Sequence, residues 1–320
     1  MRERIPRVSI GFPVYNAEAG VAQAIRGFLG QDFDDFELII SDNASTDTTL
    51  DICKSFAAMD DRIRVESQAK NIGANRNFDY VFTLARGEFF MWAAYDDHRD
   101  PSFIKQCVAA LDAAPDAVLV APNVRFVSPE PQAFHGYTYP EDFISSDVVH
   151  RLRGILRGGG WFAIYGLIRR DLLARTRQMN SLGLTPSPGL GPDYRLIELA
   201  LLGPFAHIAE PLFEYQMRQP DPIDVLARKL DPEGRFRGTM FGWWLKDLWR
   251  MTGRHGLGLS LRLRIEREYM ASARSAGSLH TEFLRCNSAA LRVAQQNRQW
   301  FRALHLLLEK CIIDGIRARP

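Results

Sequence analysis

The sequence predicts an α/β protein whose central sheet is mostly parallel and flanked by helices, followed by a helical C-terminal extension. Two observations carry this prediction. Over residues 8–121, short apolar runs alternate with segments of helical periodicity, as in successive right-handed βαβ units. Beyond Gly234 the pattern turns helical, with basic faces and little strand character.

Predicted strands and helices follow one another in a regular order. Apolar runs predict strands at residues 8–12, 36–40, 62–66, 88–93 and 117–121. Helical spacing of apolar residues predicts helices at residues 17–29, 48–59, 75–85 and 102–113. Residues 122–192 are less regular, but residues 161–168 suggest one more strand. Residues 193–202 then predict a helix that Gly203-Pro204 ends.

Length and charge divide the chain in two. Its 320 residues suggest two domains, or one domain with a large appendage. The net charge of only +2 argues against nucleic-acid binding by the whole chain. From residue 235 onward, however, 16 Lys and Arg stand against 6 Asp and Glu. We therefore predict a globular domain at residues 1–234, with halves at 1–121 and 122–234, and a basic helical region at 235–320.

The sequence contains neither a cysteine metal clip nor a membrane span. No two of the four cysteines, at positions 53, 107, 286 and 311, have metal-clip spacing. We expect them to be small buried apolar residues. The chain does not begin with a leader pattern, and no run approaches the roughly 18 apolar residues of a membrane span. These features predict a cytoplasmic protein.

Polar clusters follow three of the predicted strands. They are Pro13-Val14-Tyr15-Asn16, Ser41-Asp42-Asn43 and Tyr95-Asp96-Asp97. The carboxyl ends of parallel strands share one edge of a sheet, where ligands of such folds bind. We therefore expect these clusters to form one site.

The carboxylates of these clusters suggest two binding roles. Asp96 and Asp97 suit Mg²⁺ or Mn²⁺, which take one or two carboxylates plus substrate phosphates. The alternative for this pair is a helix cap or a solvated turn. Asp42 can accept a nucleobase N–H. Its alternative is capping of the next helix, which Ser45 or Asp47 can provide without it.

Five segments together resemble the family-two glycosyltransferases of the GT-A fold. The segments are SIGFPVYNAE from Ser9, IISDNASTDT from Ile39, NIGANRN from Asn71, ARGE from Ala85 and WAAYDD from Trp92. They cover about residues 7–101 in the family's order. The resemblance implies that residues 1–121 are a nucleotide-sugar-binding half and residues 122–234 an acceptor half.

The resemblance also implies roles for individual residues. Pro13, Tyr15 and Glu18 would line the nucleotide pocket. Asp42, with Asn43 beside it, would bind the base, and Arg76 would lie over or next to it. Asp96 and Asp97 would hold Mn²⁺ or Mg²⁺, with Asp97 the direct ligand. The alternative for Arg76 is a surface helix residue. The motif departs from the family at Ala94, where an Asp is common.

A catalytic base is expected further along the chain. An inverting transferase needs a carboxylate to take the proton of the acceptor hydroxyl. Asp193 opens an apolar helix, and the stretch DYRLIELALLGPFAHIAEPLFEYQ resembles the family's segment after its base. The alternative for Asp193 is a simple helix N-cap. Lesser candidates for the base are Asp142, Asp147 and Glu198.

The function these features predict is sugar transfer, with inversion, from a nucleoside-diphosphate donor to a hydroxyl acceptor, in cell-surface polysaccharide or glycolipid synthesis. A UDP or dTDP sugar is preferred, because Asp42 fits uracil or thymine. Alternatives are a non-catalytic nucleotide-sugar-binding or scaffold protein and a nucleotidyltransferase. The latter should carry a Gly-rich phosphate loop after its first strand, where this chain has FPVYNAE.

Two aromatic features suggest further partners. Trp161, after the glycines at 158–160, suggests a saccharide or lipid-linked saccharide acceptor pocket, with a buried core Trp as the alternative. In the tail, tryptophans 243, 244 and 249 alternate with Lys246 and Arg250, and arginines 262, 264, 267 and 274 follow. Such a helix suits peripheral contact with the inner face of a membrane, or packing on the catalytic domain or on a second subunit.

Overall fold

The computed structural model describes residues 5–127, 136–158, 160–178, 191–216 and 248–272. The chain divides into two units, Met1–Ile223 and Asp224–Pro320. The described part of the first unit is an α/β fold built on one mixed sheet, which confirms the predicted fold class.

Within the described residues, the sheet has nine strands. They are β1 (Val8–Val14), β2 (Phe36–Asp42), β3 (Ile63–Ser67), β4 (Phe89–Trp92), β5 (His98–Arg99), β6 (Leu119–Val127), β7 (Gly136–Tyr137), β8 (Leu167–Arg169) and β9 (Phe205–Gln216). Their order is β3-β2-β1-β4-β8-β6-β9-β5, with β7 beside β6. Strands β1 to β4 pair in parallel. Strand β8 runs antiparallel to both β4 and β6, whereas β6 and β9 are parallel.

Helices connect the strands. They are α1 (Val21–Leu29), α2 (Thr49–Ala57), α3 (Ala74–Thr83), α4 (Phe103–Ala113), α5 (Val148–Gly158), α6 (Arg170–Leu173) and α7 (Gly191–Leu202). Two short 3₁₀ segments occupy Glu141–Ile144 and Gly160–Tyr165. The predicted strands and helices of residues 8–121, and the helix at 193–202, all lie within a few residues of these bounds.

Strands β1 and β2 are buried along their whole length. Their apolar runs are continuous rather than alternating, because helices cover both faces of a parallel sheet. Helix α1 turns Val21, Ile25 and Phe28 into the core, where Phe28 meets the ring of Phe12 edge to face at 5.9 Å.

Gly11, in the middle of β1, lets the next layer approach the sheet closely. A Cβ atom at this position would lie 2.6 Å from the ring of Phe90 and 2.8 Å from a methyl group of Val81. The missing side chain therefore allows Val81 of α3 and the Phe90 ring to lie directly against the backbone of β1.

The predicted strand at residues 161–168 is wrong over most of its length. Residues Gly160–Tyr165 form a 3₁₀ segment, and only Leu167–Arg169 is a strand. In this conformation Trp161 stacks on Phe162 at 3.9 Å, and Tyr165 reaches the ring of Phe213 at 5.8 Å. Tertiary aromatic packing outweighs the strand preference of the local sequence here.

The second unit is helical where it is described. Residues 248–254 are helical, and α8 spans Leu259–Ser272. Arg262 of α8 lies over the ring of Trp249 at 3.9 Å and donates a hydrogen bond to its carbonyl oxygen at 2.8 Å. Two residues expected to face a membrane thus contact each other. Residues 243, 244, 246 and 274 of the same prediction lie outside the described residues.

No helix in the described ranges is both long enough and apolar enough to cross a membrane.

A buried carboxylate joins the strands at the edge where they begin. Glu37 of β2 accepts hydrogen bonds from the Ser9 hydroxyl at 2.6 Å, the Arg86 backbone at 3.0 Å and the guanidinium groups of Arg86 and Arg64 at 2.9 and 3.1 Å. Burial raises the pKa of Glu37, but these bonds outweigh burial and hold the pKa below its ordinary value.

We expect Glu37→Gln to lower the free energy of unfolding by about 2 kcal/mol at neutral pH, because two arginines lose a buried partner. The depressed pKa means that this contribution is present above the unfolded value of about 4.3. It is lost as pH falls through the folded value. Urea unfolding at neutral pH and at several acidic pH values should show the gap to wild type closing below about pH 4.

The matched control is Glu88→Gln, whose side chain is 53% exposed and contacts Arg7 at 3.3 Å. It should change the free energy of unfolding by less than about 0.5 kcal/mol. Equal effects of the two variants would contradict a structural role for Glu37.

Candidate functional site

The three polar clusters meet at the carboxyl edge of the sheet. Val14 pairs with Asp42 in the parallel register of β1 and β2. The Asn43 amide donates to the Val14 carbonyl at 2.9 Å, and the Ala93 amide donates to the Gly11 carbonyl at 2.9 Å. A Cβ atom on Gly20 would lie 3.1 Å from both the ring and the carbonyl oxygen of Tyr95. The loops after β1, β2 and β4 are therefore neighbours.

Hydrogen bonds interlock the loops after β1 and β2. Asn16 has a φ of 47°. Its side-chain oxygen accepts the backbone amide of Thr46 at 2.9 Å, and its backbone amide donates to Ser45 Oγ at 2.9 Å. Glu18 Oε2 accepts the Thr48 amide at 3.1 Å and the Thr48 hydroxyl at 2.8 Å. The carboxylate of Glu18, expected to line a pocket, thus satisfies an amide at the start of α2.

One carboxylate oxygen of Asp42 accepts no hydrogen bond from the described residues. The Asp42 side chain is fully buried. Oδ2 accepts the Ser45 amide at 3.1 Å, while Oδ1 is buried and has no hydrogen-bond partner within the described part of the chain. An unpaired buried carboxylate oxygen is costly, so this atom suits a ligand N–H donor.

Neighbouring amide side chains fix the turn before α3. Asn43 Oδ1 accepts the Ile72 amide at 2.8 Å, and its Nδ2 donates to Asn71 Oδ1 at 3.1 Å. Asn71 Oδ1 also accepts the amide of Gly73 at 2.8 Å, and Gly73 has a φ of 86°. Asn43 therefore holds the loop that leads to Arg76, in addition to being the neighbour of Asp42 in sequence.

Helix α3 is tied to the end of β2 by a residue that the sequence analysis did not single out. Asn77 accepts the Ser41 hydroxyl at 2.6 Å and donates to the Ser41 carbonyl at 2.9 Å. This buried pair fixes the first turn of α3, where Arg76 is exposed. Asn77 stands in the NIGANRN segment, so its position in that segment was the available signal.

The pocket residues around β1 differ in exposure. Pro13 is buried in the strand, whereas Tyr15 is 45% exposed just beyond it. Tyr15 can therefore present its ring to a ligand, and Pro13 contributes by shaping the strand end.

Asp96 and Asp97 lie beyond β4. Asp97 is 4% exposed, and its Oδ1 accepts the Gln216 amide at the end of β9 at 3.5 Å. Asp96 is half-buried. Within the described ranges no group of three acidic, His or Cys side chains could hold a metal. Two carboxylates are nevertheless the number that Mg²⁺ or Mn²⁺ uses when substrate phosphates complete its shell, so the donor set fits such an ion.

An arginine that the sequence analysis missed stands behind the acid pair. The Arg99 guanidinium lies 5.0–5.5 Å from the rings of Phe28, Phe103 and Phe213 and donates to the Trp92 carbonyl at 2.9 Å. Burial lowers its pKa to about 10, against the opposing charge of Asp97. Arg99 therefore remains a cation at neutral pH, close enough to Asp97 for their opposite charges to interact.

A group of aromatic side chains lies close to the acid pair. Trp161 is half-buried and meets Tyr215 edge to face at 5.4 Å and Tyr165 at 6.4 Å. Burial raises the pKa of Tyr165, and the nearby charges of Asp97 and Asp96 raise it further. Trp161 thus belongs to an aromatic group close to the acidic residues.

The candidates for the catalytic base are unequally placed. Asp193 lies in the first turn of α7, but its side chain lies outside the described residues. Asp147 caps α5 by accepting the Val149 amide at 2.7 Å, and Asp142 lies 3.7 Å from Arg153. Glu198 is fully buried and accepts the Arg177 amide at 2.6 Å. These structural roles disfavour the three lesser candidates.

Comparison with known proteins gives consistent matches. The Glycosyl transferase family 2 profile matches residues 9–169. Chondroitin synthase of Escherichia coli is 27% identical over 212 residues, which are 64% of this chain and 28% of that protein. Glycosyltransferase GlyG of Streptococcus pneumoniae is 25% identical over 154 residues, 48% of this chain and 51% of that protein. The matched part therefore spans less than two thirds of either relative.

A solved structure agrees with the fold. Residues 1–349 of S. aureus TarS, in complex with UDP-GlcNAc, superpose with a TM-score of 0.60 over 85% of this chain and 73% of that one, at 14% identity. Likeness at this identity shows the GT-A fold alone. The profile match over half of the sequence shows that the chain belongs to glycosyl transferase family 2.

Proposed function

We propose that this glycosyltransferase moves a sugar from a UDP or dTDP donor to a hydroxyl acceptor, with inversion. The observation that carries the proposal is Asp42 Oδ1, a buried acceptor without a partner in the described structure. It lies at the end of β2, at the same edge of the sheet as the acid pair. Uracil and thymine both present one imide N–H, which such an oxygen can accept.

We propose that Asp96 and Asp97 hold Mn²⁺ or Mg²⁺, with Asp97 the direct ligand. Such an ion, when bound, neutralises the charge of a diphosphate leaving group. Ala94 leaves the motif one carboxylate short of the common family pattern. The buried position of Asp97 and the cation of Arg99 behind it support a fixed ligand geometry in spite of that departure.

We propose that Asp193 is the general base. It would take the proton of the acceptor hydroxyl while that oxygen attacks the sugar from the face opposite the leaving group. Its support is its place at the start of α7 and the structural engagement of Asp142, Asp147 and Glu198.

For the acceptor, we propose a saccharide or lipid-linked saccharide of a cell-surface polysaccharide or glycolipid. The half-buried Trp161 beside Tyr215 supports an acceptor sugar ring, because aromatic faces suit the apolar side of a pyranose. Peripheral contact with the inner membrane face, or assembly through residues 235–320, is part of the same proposal. The exposed Arg250, Arg264 and Arg267 support it, whereas Trp249 is covered by Arg262 of the same unit.

A thermal-shift screen tests the donor and metal assignments together. We expect UDP or dTDP sugars with Mn²⁺ to raise the Tm of the wild type, because binding to the native state stabilises it. Asp97→Asn should abolish the part of the shift that depends on Mn²⁺.

The control is Asp34→Asn, whose side chain is 95% exposed near the amino edge of the sheet, and which should shift like wild type. An undiminished Mn²⁺-dependent shift in Asp97→Asn would refute the metal assignment. Tight donor binding, measured by calorimetry, with neither hydrolysis nor transfer would favour the non-catalytic alternative. Release of pyrophosphate would favour a nucleotidyltransferase.

Replacing the proposed base should separate binding from chemistry. We expect Asp193→Asn to lower kcat for sugar transfer by about 100- to 10,000-fold, with the UDP affinity within about twofold of wild type, since a base lost from the chemical step need not alter nucleotide binding. The measurements are initial rates of donor turnover and calorimetric UDP titration. Unchanged turnover would exclude Asp193 as the base.

Replacing Asp42 should affect stability and UDP binding in different directions. Because Oδ1 has no partner among the described residues, we expect Asp42→Asn to leave the free energy of unfolding unchanged or raise it by about 1 kcal/mol. The affinity for UDP should fall by about 10- to 100-fold, as expected for a lost buried hydrogen bond. Urea unfolding and UDP titration check this pair of effects, with Asp34→Asn as control. Marked destabilisation with unchanged affinity would make Asp42 purely structural.

A further inference from the structure

Helix α7 carries a buried charged side chain two residues after Asp193. Arg195 is 2% exposed, and its Nη2 lies 3.3 Å from Oδ1 of Asp79 on α3, which is 6% exposed. Burial lowers the pKa of Arg195 to about 10, and the charge of Asp79 opposes the shift. Arg195 therefore remains a cation at neutral pH.

The same guanidinium packs on the strand that leads to the acid pair. It lies 5.1 Å from the ring centre of Trp92, the last residue of β4, and 5.5 Å from that of Phe82 on α3. The indole N–H of Trp92 donates to the Phe78 carbonyl of α3 at 2.9 Å. Arg195 thus contacts α3 and β4 at once, from a third element.

Helix α3 is itself part of the nucleotide side of the site. Its first turn is bound to the end of β2 through Asn77 and Ser41, at 2.6 and 2.9 Å. Asp79 follows Asn77 by two residues on this helix. A short series of contacts therefore leads from the strand end that carries Asp42 to Arg195 on α7.

Other buried ionic groups hold the rest of α7. Glu198 accepts the backbone amide of Arg177 at 2.6 Å, and Arg195 Nε donates to the Arg177 carbonyl at 2.7 Å. Near the end of the helix, Arg151 of α5 donates to the Ala200 carbonyl at 2.7 and 2.9 Å. Of the α7 contacts described above, those of Arg195 are the ones that reach α3 and β4.

A buried ion pair is a poor source of stability, since desolvation offsets much of its attraction and an apolar pair often packs as well. Its directional geometry can instead fix one arrangement of two elements. We propose that Arg195 is a positioning residue that, through Asp79 and Trp92, sets the start of α7, and with it Asp193, against the nucleotide side of the site. This inference rests on the proposed function.

The experiment compares kcat and nucleotide affinity in Arg195→Met, Arg195→Lys and Asp79→Asn. Hydrolysis of a panel of UDP-, dTDP- and GDP-hexoses with Mn²⁺ gives kcat and KM, UDP titration gives Kd, and thermal unfolding reports folding. The control is Arg62→Met, at the opposite edge of the sheet. Arg62 is 24% exposed, but it is likewise paired with an aspartate, Asp60 at 2.8 Å, and placed over an aromatic ring, that of Phe36 at 4.7 Å.

We expect Arg195→Met and Asp79→Asn to lower kcat by about 10- to 100-fold, the cost of a small misplacement of a reacting group. The UDP Kd and donor KM should stay within about twofold of wild type, as expected when an interaction is lost from the transition state alone. Arg195→Lys should recover part of kcat, because it keeps the charge opposite Asp79. Arg62→Met should lose stability without losing kcat.

Four results would overturn the inference. Unchanged kcat in a destabilised Arg195→Met would show a merely structural role. Parallel losses of kcat and UDP affinity would show general damage to the nucleotide side. A wild type that turns over no donor would refute the proposed function and this inference together, whereas an active wild type with fully active variants would refute the inference alone.

Discussion

The parallel pairing of β1 with both β2 and β4 is the constraint on which the site depends. Parallel strands must end at one edge, and the register that sets Val14 against Asp42 and Gly11 against Trp92 brings their polar ends together. The loops that follow these strands are separated by many residues in sequence, but they must all begin at this edge. The chemistry proposed for the molecule therefore follows from strand direction before any single side chain is considered.

Buried charged side chains lie at the junctions between helices and strands. Glu37 joins the beginnings of β1 and β2 to the turn before β4, and Arg195 joins α7 to α3 and β4. Such groups are expensive to desolvate, so each must satisfy its partners in one geometry. Asp42 differs from both, because one of its oxygens has no partner in the described structure. That contrast distinguishes Asp42, which we propose as a ligand-binding carboxylate, from the carboxylates that maintain the fold.

Periodicity and strand-end chemistry predicted the first half of the fold well, because each element there is short, regular and locally encoded. The same reasoning located Asp42, Asp96 and Asp97 at one edge. It failed at residues 161–168, where ring packing among distant aromatic residues decides the conformation. It also missed Arg99 and Arg195, since a buried arginine is recognised only by partners that the fold supplies from elsewhere, such as Phe213 or Asp79.

The interlocked loops after β1 and β2 have a consequence for how this site can change. Asn16 and Glu18 on one loop hold the backbone of Thr46 and Thr48 on the other. Substitutions in contacting networks of this kind are not additive. If mutagenesis aimed at a different donor varies one loop at a time, most variants should lose the hydrogen bonds that order the two loops. Libraries that vary both loops jointly would reach new specificities, and natural divergence in these two loops should be correlated for the same reason.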